Sequence, residues 1–230
     1  MVYQNFRLFA RMSTSVCFAA FVSGSLYAAD TVCKVSLSVE DQVVGSPVIP
    51  QAVVGAIVKP THVSTGDGLS AVVADVPALK GKALLIGDSS ETLSQNIAFT
   101  IDAFKGGKYG VAFDYFPVKC GNSHIAVFDV RNSAQKQIFT LAMNASKSDL
   151  SIIIDGKTLL LDKALIPDEP AHFDVTIDLD SWRYQLSVNG KKLSDGALNA
   201  VDDHSYVGMV FWTPGTSEFA IKNLVADKVK

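Results

Sequence analysis

The stretch HFDVTIDLD, residues 172–180, decides the fold class. Apolar residues occupy every second position from Phe173 to Leu179, and polar or acidic residues fill the positions between them. Side chains alternate between the two faces of a β-strand, so this pattern predicts an antiparallel strand with one buried and one solvated face. The next stretch, RYQLSV at 183–188, alternates in the same way and ends at Asn189-Gly190, which favours a type I′ hairpin turn.

The same period of two recurs along most of the chain. It predicts strands at 96–102, 109–115, 124–131, 137–143, 206–212 and 218–226. Asp155-Gly156 predicts a second hairpin, between strands at 150–154 and 158–161. Helical periodicity is nowhere sustained, and residues 40–68, rich in proline and glycine, predict irregular strand and loop. About a dozen short strands separated by turns indicate an all-β, two-sheet antiparallel β-sandwich.

The first residues have the order of a secretory signal peptide. Arg7 and Arg11 precede a short apolar stretch at 16–22, and small residues follow up to Ala28 and Ala29. The apolar stretch is shorter than the about 20 residues that span a bilayer. A buried amino-terminal helix is the alternative, but strand-like alternation begins directly after Asp30. We therefore predict a signal peptide at 1–28, a single β-sandwich domain at 29–230, and export to the periplasm or the medium.

The charge and the cysteine content of the chain limit the classes of binding partner and the cellular compartment that we expect. The formal net charge is −3 and becomes about −5 without Arg7 and Arg11, and no cluster of basic residues is present. This composition argues against binding to nucleic acid or to an anionic membrane. Cys33 and Cys120 remain after removal of the signal peptide, and an oxidising compartment favours a disulfide between them. Two buried free thiols are the alternative.

Several segments of the carboxy-terminal half resemble concanavalin A-like (laminin G-like) jelly rolls. They are FDVTIDLD at 173–180, WRYQLSVNGKK at 182–192, VGMVFW at 207–212 and FAIKNL at 219–224. KALLIGD at 82–88 and YGVAFD at 109–114 also fit, whereas Lys222 departs from the family's closing Ile-Asp-Asn phrase. The resemblance covers residues 70–227. It implies a jelly roll and a function among glycan-binding modules, adhesive domains, glycoside hydrolases and polysaccharide lyases.

Aromatic residues near turns are the candidate sugar-binding residues, because a flat ring stacks on the apolar face of a pyranose. Trp212 directly precedes the turn at 213–215, Trp182 lies in the turn after Asp180, and Tyr206 lies on the strand that contains Trp212. Asp203 and His204 could bond sugar hydroxyls beside them. The alternative for Trp182 and Trp212 is that they cap the ends of the core.

The carboxylates give a weaker indication of catalysis. Asp174, Asp178 and Asp180 share one strand face, which is typical of a solvated face. A glycosidase needs two carboxyls that converge, so an enzyme would require Asp114 or Asp129 to meet another acid in one groove. The Glu-x-Asp-x-x-Glu motif of laminarinase-like hydrolases is absent from the sequence. No calcium loop and no histidine spacing typical of zinc is present, so we predict no metal and no cofactor.

The sequence therefore predicts an exported, non-catalytic binding module, with carbohydrate as the first choice of ligand. A divergent glycoside hydrolase or polysaccharide lyase is one alternative. An adhesive or structural surface domain that binds a cell-surface protein is the other.

Overall fold

The computed structural model of the chain describes residues 35–50, 59–101, 106–119, 122–128, 138–144, 148–200, 207–213 and 215–229. All of them belong to one compact unit, Val32–Lys230. The described residues contain no helix long and apolar enough to cross a membrane. The predicted signal peptide, Cys33, Cys120, Asp129, Asp203, His204 and Tyr206 lie outside the described residues.

The described secondary structure is almost entirely β. In chain order the strands are β1 (Val35–Ser36), β2 (His62–Val63), β3 (Leu69–Val76), β4 (Gly81–Asp88), β5 (Asn96–Ile101), β6 (Lys108–Lys119), β7 (Asn122–Phe128), β8 (Phe139–Asn144), β9 (Asp149–Ile154), β10 (Lys157–Leu161), β11 (Ala171–Asp178), β12 (Arg183–Val188), β13 (Lys191–Ala197), β14 (Val207–Trp212) and β15 (Ser217–Lys228). A short 3₁₀ helix, Pro77–Leu79, joins β3 to β4.

Two antiparallel sheets contain these strands. Sheet A has the order β13-β12-β11-β6-β15-β4-β3, with β1 beside the last part of β15. Sheet B has the order β10-β9-β8-β7-β14-β5-β2. The predicted two-sheet β-sandwich is confirmed. Strands distant in sequence lie side by side in both sheets: β15 lies between β6 and β4, and β14 lies between β7 and β5.

The local predictions for the two hairpins are also confirmed. The predicted strand at 172–180 is β11, which pairs with β12 on one side and with β6 on the other. Asn189 and Gly190 have φ angles of 50° and 74°, and Asp155 and Gly156 have 47° and 73°. Positive φ at both central residues is what a type I′ turn requires, and asparagine, aspartate and glycine tolerate it best.

Aromatic rings from both sheets fill the core between them. Phe113 of β6 stacks on Phe173 of β11 with ring centroids 5.0 Å apart, and it meets Phe211 of sheet B edge-on at 5.9 Å. All three side chains are fully buried. Burial of one such side chain stabilises the fold by about 1.5–3 kcal/mol, so these contacts hold the two sheets together.

The proline- and glycine-rich region combines irregular loop with short paired pieces in its described parts. Gly45 N donates to Val73 O at 2.8 Å, and Val48 N donates to Ala71 O at 2.9 Å. These bonds place residues 45–48 along the outer edge of β3. Residues 51–58 of this region lie outside the described residues.

Candidate functional site

Trp212 lies on the outer face of sheet B. In β14, Met209 and Phe211 are buried in the main core, so the alternating residues Val210 and Trp212 face away from it. Trp212 is partly buried and packs against Val210 and Ala98, in a small cluster separate from the main core. The side of the indole that packs on these two residues is therefore supported by the sheet beneath it.

The register aligns Trp212 with one residue from each neighbouring strand. Asn96 of β5 lies on one side of it, and the backbone of His124 of β7 on the other. The same row continues through Ala142, Ser151 and Leu160. Neighbouring strands are about 4.8 Å apart, so the six-residue row spans about 24 Å and could run beneath several sugar rings.

The described side chains of this row are uncharged and at least partly accessible. Asn96, Trp212, Ala142 and Ser151 are half-buried and Leu160 is exposed. In the neighbouring row on the same face, Ala98, Thr140 and Val210 are buried, whereas Ile153 is half-buried and Thr158 is exposed. The row of Trp212 therefore lies beside a covered part of the face, and it offers neutral side chains beside one aromatic ring. We call it the Trp212 row.

A buried polar cluster fixes the end of β14 beside Trp212. The Thr213 hydroxyl donates to Asp88 Oδ2 at 2.7 Å, and Gln95 N donates to the same oxygen at 3.2 Å. Ser90 N donates to Asp88 Oδ1 at 2.8 Å, and Thr213 N donates to Gln95 O at 3.1 Å. Sequence patterns gave no indication of this cluster, because Thr213 is 125 residues from Asp88 and only the sheet order brings the two together.

The outer face of sheet A carries charged residues instead. His172 Nδ1 lies 2.5 Å from Asp114 Oδ1, and His172 Nε2 lies 3.4 Å from Asp174 Oδ1. Asn223 Nδ2 donates to Asp114 Oδ2 at 2.6 Å. These four residues, which we call the His172 network, connect the adjacent strands β11, β6 and β15.

Two carboxylates determine the charge of the imidazole. Partial burial lowers the pKa of His172, but the hydrogen bond to Asp114 and the negative charges of Asp174 and Asp114 outweigh this effect. The pKa of His172 is therefore raised above its ordinary value, and the network favours an imidazolium between two carboxylates. The ring also occupies the space between the two acids in which a glycosidase would hold the scissile bond.

The other predicted residues on sheet A have structural contacts. Trp182 has φ of 51°, packs partly buried against the main core, and its carbonyl accepts from Leu198 N at 2.7 Å. Asp178 accepts backbone hydrogen bonds from Asp180 N and Ser181 N, both at 3.0 Å. The Ser181 backbone contact is the main reason why the pKa of Asp178 is lowered. Asp180 Oδ1 accepts from Gly107 N at 2.9 Å.

The structure therefore does not bring the two predicted tryptophans together. Trp182 belongs to the main core and Trp212 to the outer face of sheet B. Asp178 and Asp180 shape the turns at one end of sheet A. Within the described ranges, no group of three or more His, Cys, Asp or Glu side chains is arranged to hold a metal ion.

Sequence comparison finds no match among known protein families and none among curated proteins. Structure comparison finds a sialidase with a TM-score of 0.58 and 13% identity, over 73% of this chain and 17% of the sialidase. It also finds the endo-β-1,4-glucuronan lyase from the fungus Trichoderma reesei, with a TM-score of 0.53 and 10% identity, over 74% of this chain and 91% of the lyase.

The carbohydrate recognition domain of Emp47p has a TM-score of 0.48 and 16% identity, over 75% of this chain and 90% of that domain. This chain spans less than a fifth of the sialidase. At such identities, the likeness to the sialidase and to the lyase establishes the fold alone: the protein is a two-sheet antiparallel β-sandwich of the type found in both.

Proposed function

We propose that this protein is an exported, non-catalytic carbohydrate-binding module of the concanavalin A-like superfamily. The glycan lies across the outer face of sheet B, along the Trp212 row. The observation that carries the proposal is the position of Trp212: a half-buried indole supported by the sheet, in a row of uncharged and partly accessible residues.

The chemistry of the row suits a neutral sugar chain. An indole ring stacks on the apolar face of a pyranose, and nearby amides and hydroxyls bond the sugar hydroxyls. Asn96 and Ser151 supply these groups on either side of Trp212. A chain of uronates would carry one negative charge per sugar and would favour a site lined with lysine or arginine. The described side chains of the Trp212 row include neither, so we expect neutral glycans.

Binding to a glycan array tests this proposal. The mature chain should bind neutral polysaccharides or oligosaccharides, and Trp212→Ala should weaken binding at least about 10-fold through loss of the stacking contact. Trp182→Phe is the matched control, because Trp182 contacts the main core, and it should bind like the wild type. Circular dichroism of both variants checks that they are folded. Absence of binding across the array, or equal binding by folded Trp212→Ala, would contradict the proposal.

The His172 network supports a second candidate, an acid–base enzyme such as a divergent glycoside hydrolase or polysaccharide lyase. Asp114 and Asp174 both contact the imidazole of His172, which lies between them. Incubation with the polysaccharides of the same array, followed by measurement of new reducing ends, tests this candidate. Product formation that Asp114→Asn abolishes, while Trp212→Ala only raises KM, would favour the enzyme.

A protein ligand is the third candidate. If the folded chain neither binds nor cleaves any glycan, a cell-surface protein becomes the best-supported class of partner.

A further inference from the structure

Each sheet has two edges, and three of the four edges in the described structure are protected from further pairing. An unprotected edge presents free N–H and C=O groups to another strand. Residues 45–48 cover β3, and β2 is two residues long. The pairing of β13 with β12 shifts register between Leu186 and Ser187, and β13 carries Lys191, Lys192 and Asp195. Short strands, bulges, lysines and covering segments are the usual protections.

The fourth edge, β10, is the least protected of the four, with a single lysine, Lys157, at its first residue. Its sequence is KTLLL, it contains no proline, and it pairs with β9 in continuous register without a bulge. Leu159 is 48% exposed and Leu160 is 57% exposed. Among the described strands, β10 pairs with β9 and with no other.

The hairpin geometry defines which backbone groups of β10 are free. The two-residue turn at Asp155-Gly156 makes Ile154 and Lys157 a hydrogen-bonded pair, and such pairs alternate along an antiparallel ladder. Lys157, Leu159 and Leu161 therefore bond to β9. The N–H and C=O groups of Thr158 and Leu160 point away from β9, towards the open edge.

We propose that β10 pairs antiparallel with β10 of a second copy of this chain, with Leu160 on the two-fold axis. An antiparallel pair requires outward-pointing residues to face outward-pointing residues. With Leu160 on the axis, Thr158 lies opposite Asp162 of the partner subunit, and Leu159 lies opposite the partner's Leu161. The Thr158 hydroxyl can thus donate a hydrogen bond to the carboxylate of Asp162 of the partner subunit. Leu159 likewise meets an apolar residue, the partner's Leu161.

The nearest alternative register matches the residues less well. With Leu159 on the axis, polar Thr158 would lie opposite apolar Leu160 of the partner subunit. The register centred on Leu160 gives an isologous two-fold interface, in which the Thr158–Asp162 and Leu159–Leu161 contacts each occur twice and the Leu160 contact lies on the axis. It joins the two copies of sheet B into one continuous sheet and covers the exposed leucines.

Sedimentation velocity of the mature chain, over about 1–200 µM, tests the proposal. The wild type should change from monomer to dimer as its concentration rises. Leu160→Lys and Leu160→Asp should each remain monomeric, because the substituted side chains face their own copies across the axis. An equimolar mixture of the two variants should recover the dimer, because lysine then faces aspartate. Val43→Lys, at a residue 75% exposed in the segment between β1 and β2, is the matched control and should dimerise like the wild type.

A disulfide experiment tests the register itself. Under mild oxidation, Leu160→Cys should form a cross-linked dimer faster than Leu159→Cys. A wild type that is monomeric throughout this concentration range would overturn the proposal. So would a dimer that both charge variants retain, or a mixture of the two variants that stays monomeric although each variant is folded by circular dichroism.

Discussion

The side-chain amide of Gln95 lies in the interior at the end of sheet B. Gln95 is 0% exposed, and neither its Nε2 nor its Oε1 has a hydrogen-bond partner among the described residues. Its backbone is well bonded, since its N–H donates to Asp88 and its C=O accepts from Thr213. A buried polar group without a partner costs about 1–3 kcal/mol of stability. The amide is therefore a local weakness beside a well-bonded cluster.

We expect Gln95→Met to stabilise the protein. Methionine has a similar shape and volume but no amide to desolvate, so the free energy of unfolding should rise by about 1 kcal/mol. Urea unfolding, followed by circular dichroism, measures it. Thr213→Val is the contrasting variant, because it removes a hydrogen bond from the buried Asp88 carboxylate and should lower stability. A destabilised Gln95→Met protein would show that the amide has a favourable partner.

The His172 network acts at the scale of whole strands. Its hydrogen bonds cross from β11 to β6 and from β6 to β15, at the point where the pairing of β15 with β6 shifts register after Lys222. Asn223 at this shift has φ of 53°, a conformation that asparagine tolerates better than most residues. The network therefore ties three adjacent strands together where the backbone ladder is interrupted.

This network should make stability depend on pH. The pKa of His172 is raised in the folded protein, so its contribution is fully present below the unfolded pKa of 6.5 and is lost as pH rises through the higher folded pKa. His172 is half exposed, so we expect an effect below about 1 kcal/mol. Urea unfolding of wild type and His172→Gln at about pH 5.5 and about pH 8 should give the larger difference at the lower pH.

The matched control is His62→Gln, on the short edge strand of sheet B. It should show a smaller pH-dependent difference than His172→Gln. Equal differences between wild type and His172→Gln at both pH values would mean that the imidazole does not carry its charge in this network.

At the scale of the whole molecule, the sheet order constrains the predicted disulfide. Cys33 and Cys120 lie outside the described residues, and their pairing stays a prediction. Val35 pairs with Ala226 of β15, and Ala226 pairs with Val111 of β6, so Val35 and Val111 lie in one row across the sheet. Lys119 is the last residue of β6. The rise from Val111 to Lys119 is about 26 Å, and a disulfide joins Cα atoms about 4.4–6.8 Å apart.

Val35 and Lys119 thus lie far apart along sheet A, and the predicted disulfide is tested directly in solution. If the bond forms, titration of the unreduced, denatured mature protein should detect no reactive thiol, and a reductant should lower its melting temperature. Two reactive thiols per chain, with a melting temperature that a reductant leaves unchanged, would contradict the pairing.

The sequence by itself determined most of the strands, though not β3, together with the two hairpins and the sandwich class. These features depend on interactions between near neighbours: the alternation in 172–180 places Phe173 and Val175 on one face wherever the strand lies. The same reasoning named Trp182 and Trp212 as candidate sugar-binding residues but could not separate their roles, because both are tryptophans close to turns.

Only the tertiary structure decided which strands are neighbours, and this order creates the surfaces. Asn96, Trp212 and Ser151 form one row because β14 inserts between β5 and β7. Asp114, His172 and Asn223 meet because β6 lies between β11 and β15. Local patterns cannot specify which strands become neighbours. The free energy that selects one strand order comes from packing the inner faces of the two sheets against each other over the whole core, as Phe113 and Phe173 pack against Phe211.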